Sequence, residues 1–188
     1  MGYFDTQEGI DEYTKMAEGF DGRELIAILK KYLPAGSTVL ELGMGPGKDL
    51  DILAESFQVT GSDSSALFLE GYRAGHTDAD LMVLDAATLD TDRTFDCIYS
   101  NKVLHHLTRE ELEESLRRQA QMLNSGGILF HALWYGDKEE EILGMRFVYY
   151  TEETLKQIIG DAYEVVEVER YTEMDDDDSL LIVLRKRG

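Results

Sequence analysis

The chain of 188 residues contains a single cysteine, Cys97, and only two prolines. One cysteine excludes an internal disulfide framework and fits a reducing cytoplasm. No apolar run approaches the ~20 residues that a membrane-spanning helix needs, and the first residues lack the character of a signal peptide. Repeats and proline-rich linkers are also absent. These features predict a cytoplasmic, membrane-independent protein in which residues 1–188 form one domain.

Basic residues are few: the chain has 18 Lys and Arg but 38 Asp and Glu, which gives a formal net charge of -20. A nucleic-acid binder neutralises phosphates with clustered Lys and Arg, and no such stripe exists here. The acidic run at 175–178 lacks the glycine and the spaced glutamate of a calcium loop, so it predicts a solvated turn. The composition therefore predicts no nucleic-acid partner and no metal site, and it does not indicate an oligomeric state.

Strand-like and helix-like segments alternate along the chain. Five strand candidates come first, and two further ones near the end are joined by an acidic turn; they are "TVLEL", "FQVTGSD", "ADLMVLDA", "FDCIYS", "GILFHALW", "YEVVEVERY" and "LLIVLRK". Helical segments separate most of them. Thr108 with Glu111 marks the start of one helix as a capping box, and "NSGG" predicts where that helix ends. The alternation predicts an α/β fold whose parallel sheet is covered on both faces, with the final two strands pairing antiparallel.

The stretch "LELGMGPGKD", residues 40–49, follows the first strand and is rich in glycine. It does not fit a Walker A loop, because Asp49 stands where that motif needs a hydroxyl. It also departs from the dinucleotide fingerprint, because the third glycine, Gly47, comes one residue early. The carboxylate of Glu41 would further disfavour a pyrophosphate at the following helix. The combination favours a cationic ligand over a phosphate.

Three further stretches stand at the ends of the second, third and fourth strands: "GSDSS", "LDAAT" and "FDCIYSNKVLHHL". Together with "ELGMGPG", in this order, they resemble the motifs of the class I S-adenosylmethionine (SAM)-dependent methyltransferases of the small-molecule type. The resemblance covers nearly the whole chain. It implies a Rossmann-like, doubly wound mixed sheet of seven strands in the order 3-2-1-4-5-7-6, the last strand antiparallel, with helices on both faces. It also implies SAM as cofactor and S-adenosylhomocysteine (SAH) as product.

The resemblance assigns ten residues to the cofactor: Glu41, Gly43, Gly45, Gly47, Asp63, Ser64, Asp85, Ala86, Ser100 and Asn101. Glu41 would hold the methionine ammonium, and the glycines would let the ligand approach the backbone. Asp63 would accept from the ribose hydroxyls, although a helix N-cap role is an alternative or additional one. Asp85 would accept from the adenine amino group, with a simple turn residue as the alternative. Ser100 and Asn101 would border the methionine portion.

The acceptor side is assigned through the same resemblance. His106 is the expected general base, with Tyr13 as its partner, while packing or capping of the helix is the alternative for both His105 and His106. An acceptor pocket is expected from His105, His131, Trp134, Tyr135 and Tyr149. Residues 1–20 would form an N-terminal lid, and residues 134–150 would form the substrate side.

Missing motifs restrict the acceptor. "SNKV" stands where methyltransferases acting on base amino groups carry an acid or amide followed by two prolines, and the only cysteine lies within a strand. A small molecule methylated on oxygen or nitrogen is therefore expected. Two other functions stay open from the sequence: a non-catalytic SAM-binding or partner subunit, and an NAD(P)-binding oxidoreductase, which the glycine spacing disfavours.

Overall fold

The computed structural model describes Phe4 and residues 6–188 of the chain. The strands are β1 Thr38–Leu42, β2 Gln58–Asp63, β3 Leu81–Val83, β4 Phe95–Asn101, β5 Leu123–Trp134, β6 Glu139–Ile142, β7 Met145–Val148, β8 Tyr163–Tyr171 and β9 Ser179–Lys186. The helices are α1 Gln7–Met16, α2 Arg23–Leu29, α3 Lys48–Ala54, α4 Ala66–Gly75, α5 Arg109–Met122 and α6 Glu152–Ile158, with a 3₁₀ turn at Leu104–His106. Within the described part of the chain, no helix combines the length and the apolar content required to cross a membrane.

Seven strands form one sheet in the order β3-β2-β1-β4-β5-β9-β8. The pairs from β3 to β5 are parallel, whereas β9 runs antiparallel to both β5 and β8. The order equals 3-2-1-4-5-7-6 when the sheet strands are counted along the chain, so the predicted topology is confirmed. The strand order reverses between β1 and β4, which is where ligands bind in open α/β sheets.

Alternation along the strands divides the core into two layers. Leu40 and Ile98 point into one layer, which α5 and α6 cover, and Val39 and Cys97 point into the other, which α2 and α3 cover. The register pairs Val39 with Cys97 and Glu41 with Tyr99. Glu41 and Tyr99 therefore share the face beneath α2 and α3, which places the conspicuous glutamate on the α3 side of the sheet.

The predicted helix starts agree with the structure, and one predicted boundary differs. Thr108 and Glu111 form the expected capping box at the start of α5. The segment "NSGG", which suggested a loop after this helix, instead lies inside β5, where the pairing with β4 is interrupted by a bulge. The amide of Asn124 donates to Asp96 at this bulge. A bulge absorbs the glycines without ending the strand.

Three elements, α1, β6 and β7, have no counterpart in the sequence-based prediction. Helix α1 begins at Thr6, whose hydroxyl accepts from the backbone N–H of Gly9. Strands β6 and β7 form a separate hairpin whose turn residues, Leu143 and Gly144, both have positive φ, +54° and +76°. Such a turn normally carries Asn or Asp before the glycine. Because Leu143 does not match this turn pattern, the sequence did not predict the hairpin.

Candidate functional site

A cavity of about 120 Å³ opens at the carboxyl ends of β1 and β4. Its lining residues are Tyr13, Ala17, Phe20, Asp21, Glu41, Gly43, Met44, Gly45, Pro46, Lys48, Asp49, Asn101, Lys102 and Glu173. The sheet and the glycine loop (residues 43–47) form its floor. The turn between α1 and α2, residues 17–22, forms a cover that we call the roof. The cavity thus occupies the switch point of the strand order.

The glycine loop depends on its glycines for conformation and for space. Gly43, Gly45 and Gly47 all have positive φ, at +65°, +51° and +88°. A Cβ on Gly43 would lie 2.6 Å from the Val103 side chain, and one on Gly47 would overlap the Tyr72 ring. Other residues would strain the backbone and collide with these neighbours. The loop therefore brings bare backbone to the cavity.

Two buried acceptor atoms beside this loop lack partners. Among the described residues, Oε2 of Glu41 and Oδ1 of Asn101 are buried without a hydrogen bond. Glu41 is only 3% exposed, and burial, followed by repulsion from Asp49 and Asp63, raises the pKa of its carboxyl well above the usual value. Buried acceptors of this kind are satisfied by a donor. An ammonium, which only donates, complements both atoms.

Asp49 is another of the four acids that line the cavity, and the sequence did not predict it as a site residue. It lies in the first turn of α3 and accepts from the Gly22 N–H at 2.6 Å, the Tyr99 hydroxyl at 2.7 Å and the Asn101 side-chain amide at 3.1 Å. Acids are common in first helical turns because they favour the helix dipole. Because an acid at this position is expected for the helix alone, the sequence does not indicate that Asp49 also belongs to the cavity.

Asp63 lies at the end of β2 and is 8% exposed. Its carboxylate accepts from the backbone N–H groups of Gly45 at 2.9 Å and Ser65 at 2.8 Å. Burial raises its pKa, and these backbone bonds oppose the shift. The N-cap of α4 is Ser65, so Asp63 joins the glycine loop to the residue that starts α4 instead of capping that helix itself. Ser64, between them, is exposed.

Comparison with known proteins identifies the family. A methyltransferase domain family matches residues 39–127. An uncharacterized methyltransferase of Geobacillus kaustophilus is 32% identical over 174 residues, which cover 89% of this chain and 76% of that protein. A trans-aconitate 2-methyltransferase of Variovorax paradoxus is 33% identical over 135 residues, which cover 70% of this chain and 48% of that protein.

Solved structures share the fold. A SAM-dependent methyltransferase from Clostridium acetobutylicum superposes with a TM-score of 0.77 at 12% identity, covering 95% of this chain and 99% of that one. The 1,6-didemethyltoxoflavin-N1-methyltransferase of Burkholderia thailandensis gives a TM-score of 0.78 at 20% identity, covering 95% of this chain and 83% of that one. The chain belongs to the class I SAM-dependent methyltransferases. The oxidoreductase alternative is thereby set aside.

In this methyltransferase, the stretch "LDAAT" after β3 forms a turn. Strand β3 ends at Val83, and the exposed Asp85 accepts from the Ala87 N–H at 2.7 Å. The Ala86 carbonyl accepts from the Ser115 hydroxyl at 2.6 Å. Neither Asp85 nor Ala86 lines the cavity. The turn role of Asp85 is therefore visible, and its adenine role remains a proposal.

Two predicted site residues require correction because their side chains point to the opposite face of the sheet. The Ser100 hydroxyl lies 2.8 Å from Nδ1 of His131, whose Nε2 lies 2.8 Å from Oε1 of Gln119. His131 is 1% exposed, and burial lowers its pKa to about 3. These side chains form a closed neutral network beneath α5. His131 does not line an acceptor pocket, and the Ser100 side chain does not face the cofactor cavity.

The two adjacent histidines lie in the 3₁₀ turn that follows β4, beneath β7. His106 places Nδ1 2.7 Å from the Arg146 carbonyl, which can only accept, so Nδ1 carries the proton and Nε2 is left as the basic atom. Burial lowers the pKa of His106, and the bond to Arg146 opposes this. His105 is 2% exposed and its ring lies 5.0 Å from that of Phe147. Among the described residues, neither ring nitrogen of His105 has a partner.

Tyr13 was predicted to pair with His106, and this pair is not formed within the described part of the chain. The Tyr13 ring lies over the glycine loop, 5.2 Å from the Phe4 ring and 5.9 Å from the Phe68 ring. A Cβ on Gly45 would lie 3.5 Å from it. Burial, then repulsion by nearby carboxylates such as Asp63, raises the pKa of its hydroxyl. Tyr13 therefore covers the cofactor side of the cavity.

The other predicted pocket residues, Trp134, Tyr135 and Tyr149, lie in three different environments. The Trp134 ring lies 3.8 Å from the ammonium of Lys102, a cavity residue that the sequence did not reveal. The Tyr135 ring instead contacts the guanidinium of Arg170, also at 3.8 Å. The Tyr149 hydroxyl donates to Glu140 in the β6–β7 hairpin at 2.6 Å. Only Trp134 of these three is connected to the cavity, and that connection runs through Lys102.

Lys102 joins the end of β4 to the loop between β8 and β9. Its ammonium donates to the Leu133 carbonyl at 3.0 Å and the Ser179 hydroxyl at 2.7 Å, and it pairs with Glu173 at 3.2 Å. Burial lowers its pKa to about 8, against the opposing effect of Glu173. No local motif marks this contact, since Glu173 follows Lys102 by 71 residues.

Proposed function

We propose that the protein methylates an oxygen or nitrogen atom of a small molecule, with SAM as donor. When bound, SAM supplies a methyl group activated by its positively charged sulfur. The observation that carries the cofactor assignment is the pair of unpartnered buried acceptors, Glu41 Oε2 and Asn101 Oδ1, on the wall of one cavity. They suit the methionine ammonium of SAM and disfavour a phosphate.

The remaining cofactor residues follow from this orientation. The glycine loop would border the ligand with bare backbone, and Asp63, already held by two backbone N–H groups, would accept from ribose hydroxyls. Asp85 and Ala86, in the turn after β3, would contact the adenine. Support comes from the fold shared with the didemethyltoxoflavin methyltransferase, which was solved with SAH. The protein's task at the reacting atoms is mainly alignment and exclusion of water.

His106 is the proposed general base. With Nδ1–H donating to the Arg146 carbonyl, Nε2 is free to take the proton that the acceptor atom loses as it forms its bond to carbon. The hairpin of β6 and β7 lies over both histidines, which supports residues 134–150 as the substrate side. Since His106 does not line the cavity, this proposal requires the acceptor to bind between the cavity and the hairpin.

Further proposals concern the protein as a whole. We propose that residues 1–188 act as one domain in the cytoplasm, without nucleic acid, on the basis of the charge and the single buried cysteine. The N-terminal lid is supported by α1 and the roof, which cover the cavity. Residues 1–3 and 5 of the lid lie outside the described residues. A small-molecule acceptor agrees with the names of a trans-aconitate and a didemethyltoxoflavin methyltransferase among the similar proteins.

The proposal is tested by methyl transfer from radiolabelled SAM into fractionated metabolite extracts. We expect label to enter at least one small molecule, in a time- and enzyme-dependent manner. The matched control is Glu41→Gln, which should lose most of the incorporation because the ammonium loses its charged partner. Label that enters only nucleic acid or protein would contradict the proposed acceptor class. SAM binding without incorporation into any fraction would instead favour a non-catalytic SAM-binding subunit.

A further inference from the structure

The carboxylate of Asp49 connects three parts of the molecule. It belongs to α3 and receives hydrogen bonds from the roof through Gly22 and from β4 through Tyr99 and Asn101. Asp49 is 8% exposed and also lines the cavity. Three donors converge on this one buried group, which is more than its place in a first helical turn requires.

The bond from Asn101 fixes the orientation of its amide. A carboxylate can only accept, so Asn101 must turn its NH₂ group toward Asp49. Its Oδ1 is then the end that remains buried without a partner, as is Oε2 of Glu41. Both residues line the same cavity. Asp49 thereby decides that the amide presents an acceptor to the cavity, and not a donor.

The same carboxylate also holds the roof. Oδ1 of Asp49 accepts from the Gly22 N–H, and the neighbouring Lys48 donates to the Ala17 carbonyl at 2.6 Å. A Cβ on Gly22 would overlap Asp49 and the Tyr99 hydroxyl. Two successive residues of α3 therefore fix both ends of the segment that covers the cavity. The carboxylate of Asp49 therefore fixes both the position of the roof and the orientation of the Asn101 amide.

We propose that Asp49 is a positioning residue for the methionine ammonium, acting through the amide orientation of Asn101 beneath the roof. The proposal rests on the proposed function, because it takes SAM as the ligand of this cavity. It predicts that Asp49 matters for the part of the ligand that carries the ammonium. The adenosine portion, which would lie toward Asp63, should bind independently of it.

The test uses Asp49→Asn, which keeps the shape of the side chain and replaces an acceptor by a donor. The single oxygen of this amide cannot accept from both the roof and β4. With its new NH₂ group toward β4, it faces the NH₂ of Asn101 and drives that amide to flip, so that a donor meets the ammonium; with the NH₂ group toward the roof, it loses the Gly22 bond instead. SAH affinity should fall about tenfold or more, since a charge-assisted bond is lost and replaced by repulsion. Binding of 5′-methylthioadenosine, which lacks the ammonium, should stay within about twofold. The matched control is Asp51→Asn, on the same helix and largely exposed.

Calorimetry with both ligands, together with melting temperatures, decides the question. Asn101→Ala should reproduce the selective loss of SAH affinity, and adding Asp49→Asn to it should change affinity by less than about twofold, because the amide is gone. Asn101→Ala carries the test alone if Asp49→Asn does not fold. Unchanged SAH affinity in Asn101→Ala, equal losses for both ligands, or the full Asp49→Asn effect without Asn101 would overturn the proposal. If the unmodified protein does not bind SAH, the proposed function itself fails.

Discussion

His105 and His106 are neighbours in the chain, yet their surroundings give the two imidazoles different chemistry. His106 has one nitrogen committed to the Arg146 carbonyl and one free, whereas His105 is enclosed against Phe147 with neither nitrogen bonded among the described residues. Burial lowers both pKa values. Burial therefore favours the neutral form of both rings, and of the two only His106 has its tautomer defined by a hydrogen bond.

At the scale of the residue, His106→Ala should lower turnover by ~10²–10⁴, the usual effect of removing a general base. SAM affinity should stay within about threefold. His105→Ala should be much less affected per folded molecule, because its ring packs against Phe147 and has no assigned role in proton transfer. Steady-state kinetics on both variants, with binding measured separately, provide the comparison. Retention of more than about half the rate in His106→Ala, or a slower His105→Ala, would contradict the assignment.

The pH dependence follows from the same residue. Because burial lowers the pKa of His106, the basic form persists below the ordinary value of ~6.5. The unmodified enzyme should therefore show kcat/KM that falls toward low pH with a midpoint below the ordinary value of ~6.5. A midpoint above pH 7 would indicate a base with a raised pKa and exclude His106.

Side-chain direction decided which site residues the sequence could reveal. Glu41 and the glycine loop were recognised because a local motif carries them. Ser100 and Asn101 were assigned together, but neighbouring strand residues face opposite sides, and only Asn101 faces the cavity. Asp49 was missed because its partners lie 27 to 52 residues away in the chain. Such contacts exist only after the sheet has formed.

At the scale of the element, the hairpin of β6 and β7 is suited to an independent test. It pairs with itself outside the main sheet, and the Tyr149 N–H donates to the Lys138 carbonyl at its base. Replacing residues 139–148 by an Asn-Gly turn would therefore keep the base paired. SAM affinity should stay within about threefold, while methyl transfer should fall at least tenfold, since the histidines lose their cover. Unchanged turnover in this variant would show that the hairpin has no part in acceptor binding.

Element prediction succeeded where periodicity and turn signals agreed. The seven sheet strands follow from apolar runs separated by helical segments, and the antiparallel position of β9 follows from the loop that joins it to β8. The start of α5 could be read from Thr108 and Glu111. The hairpin escaped prediction because β6 is "EEEI", which is acidic and nearly uniform, and because Leu143 adopts the positive φ expected of another residue type.

At the scale of the whole molecule, acidic residues outnumber basic ones and give a formal charge of -20. The cavity shows the same excess of acids. Four acids line it against two lysines, and each lysine is engaged by the protein: Lys48 by the Ala17 carbonyl and Lys102 by Glu173. The field of such a chain attracts a cationic ligand and repels anions. The acidic charge on which the proposed absence of a nucleic-acid partner rests thus also favours SAM over its neutral product.

Isothermal titration calorimetry of SAM and SAH, on the unmodified protein and on Glu41→Gln, tests the central claim most directly. Saturable binding of both ligands is predicted, with SAM favoured at low ionic strength. Glu41→Gln should weaken both by roughly ten- to a hundredfold, because a charge-assisted hydrogen bond contributes ~1.5–3 kcal/mol. Since burial raises the pKa of Glu41, binding of the ammonium should also release protons, seen as a buffer-dependent heat. Absence of saturation at millimolar ligand, or equal affinity in Glu41→Gln, would contradict the account.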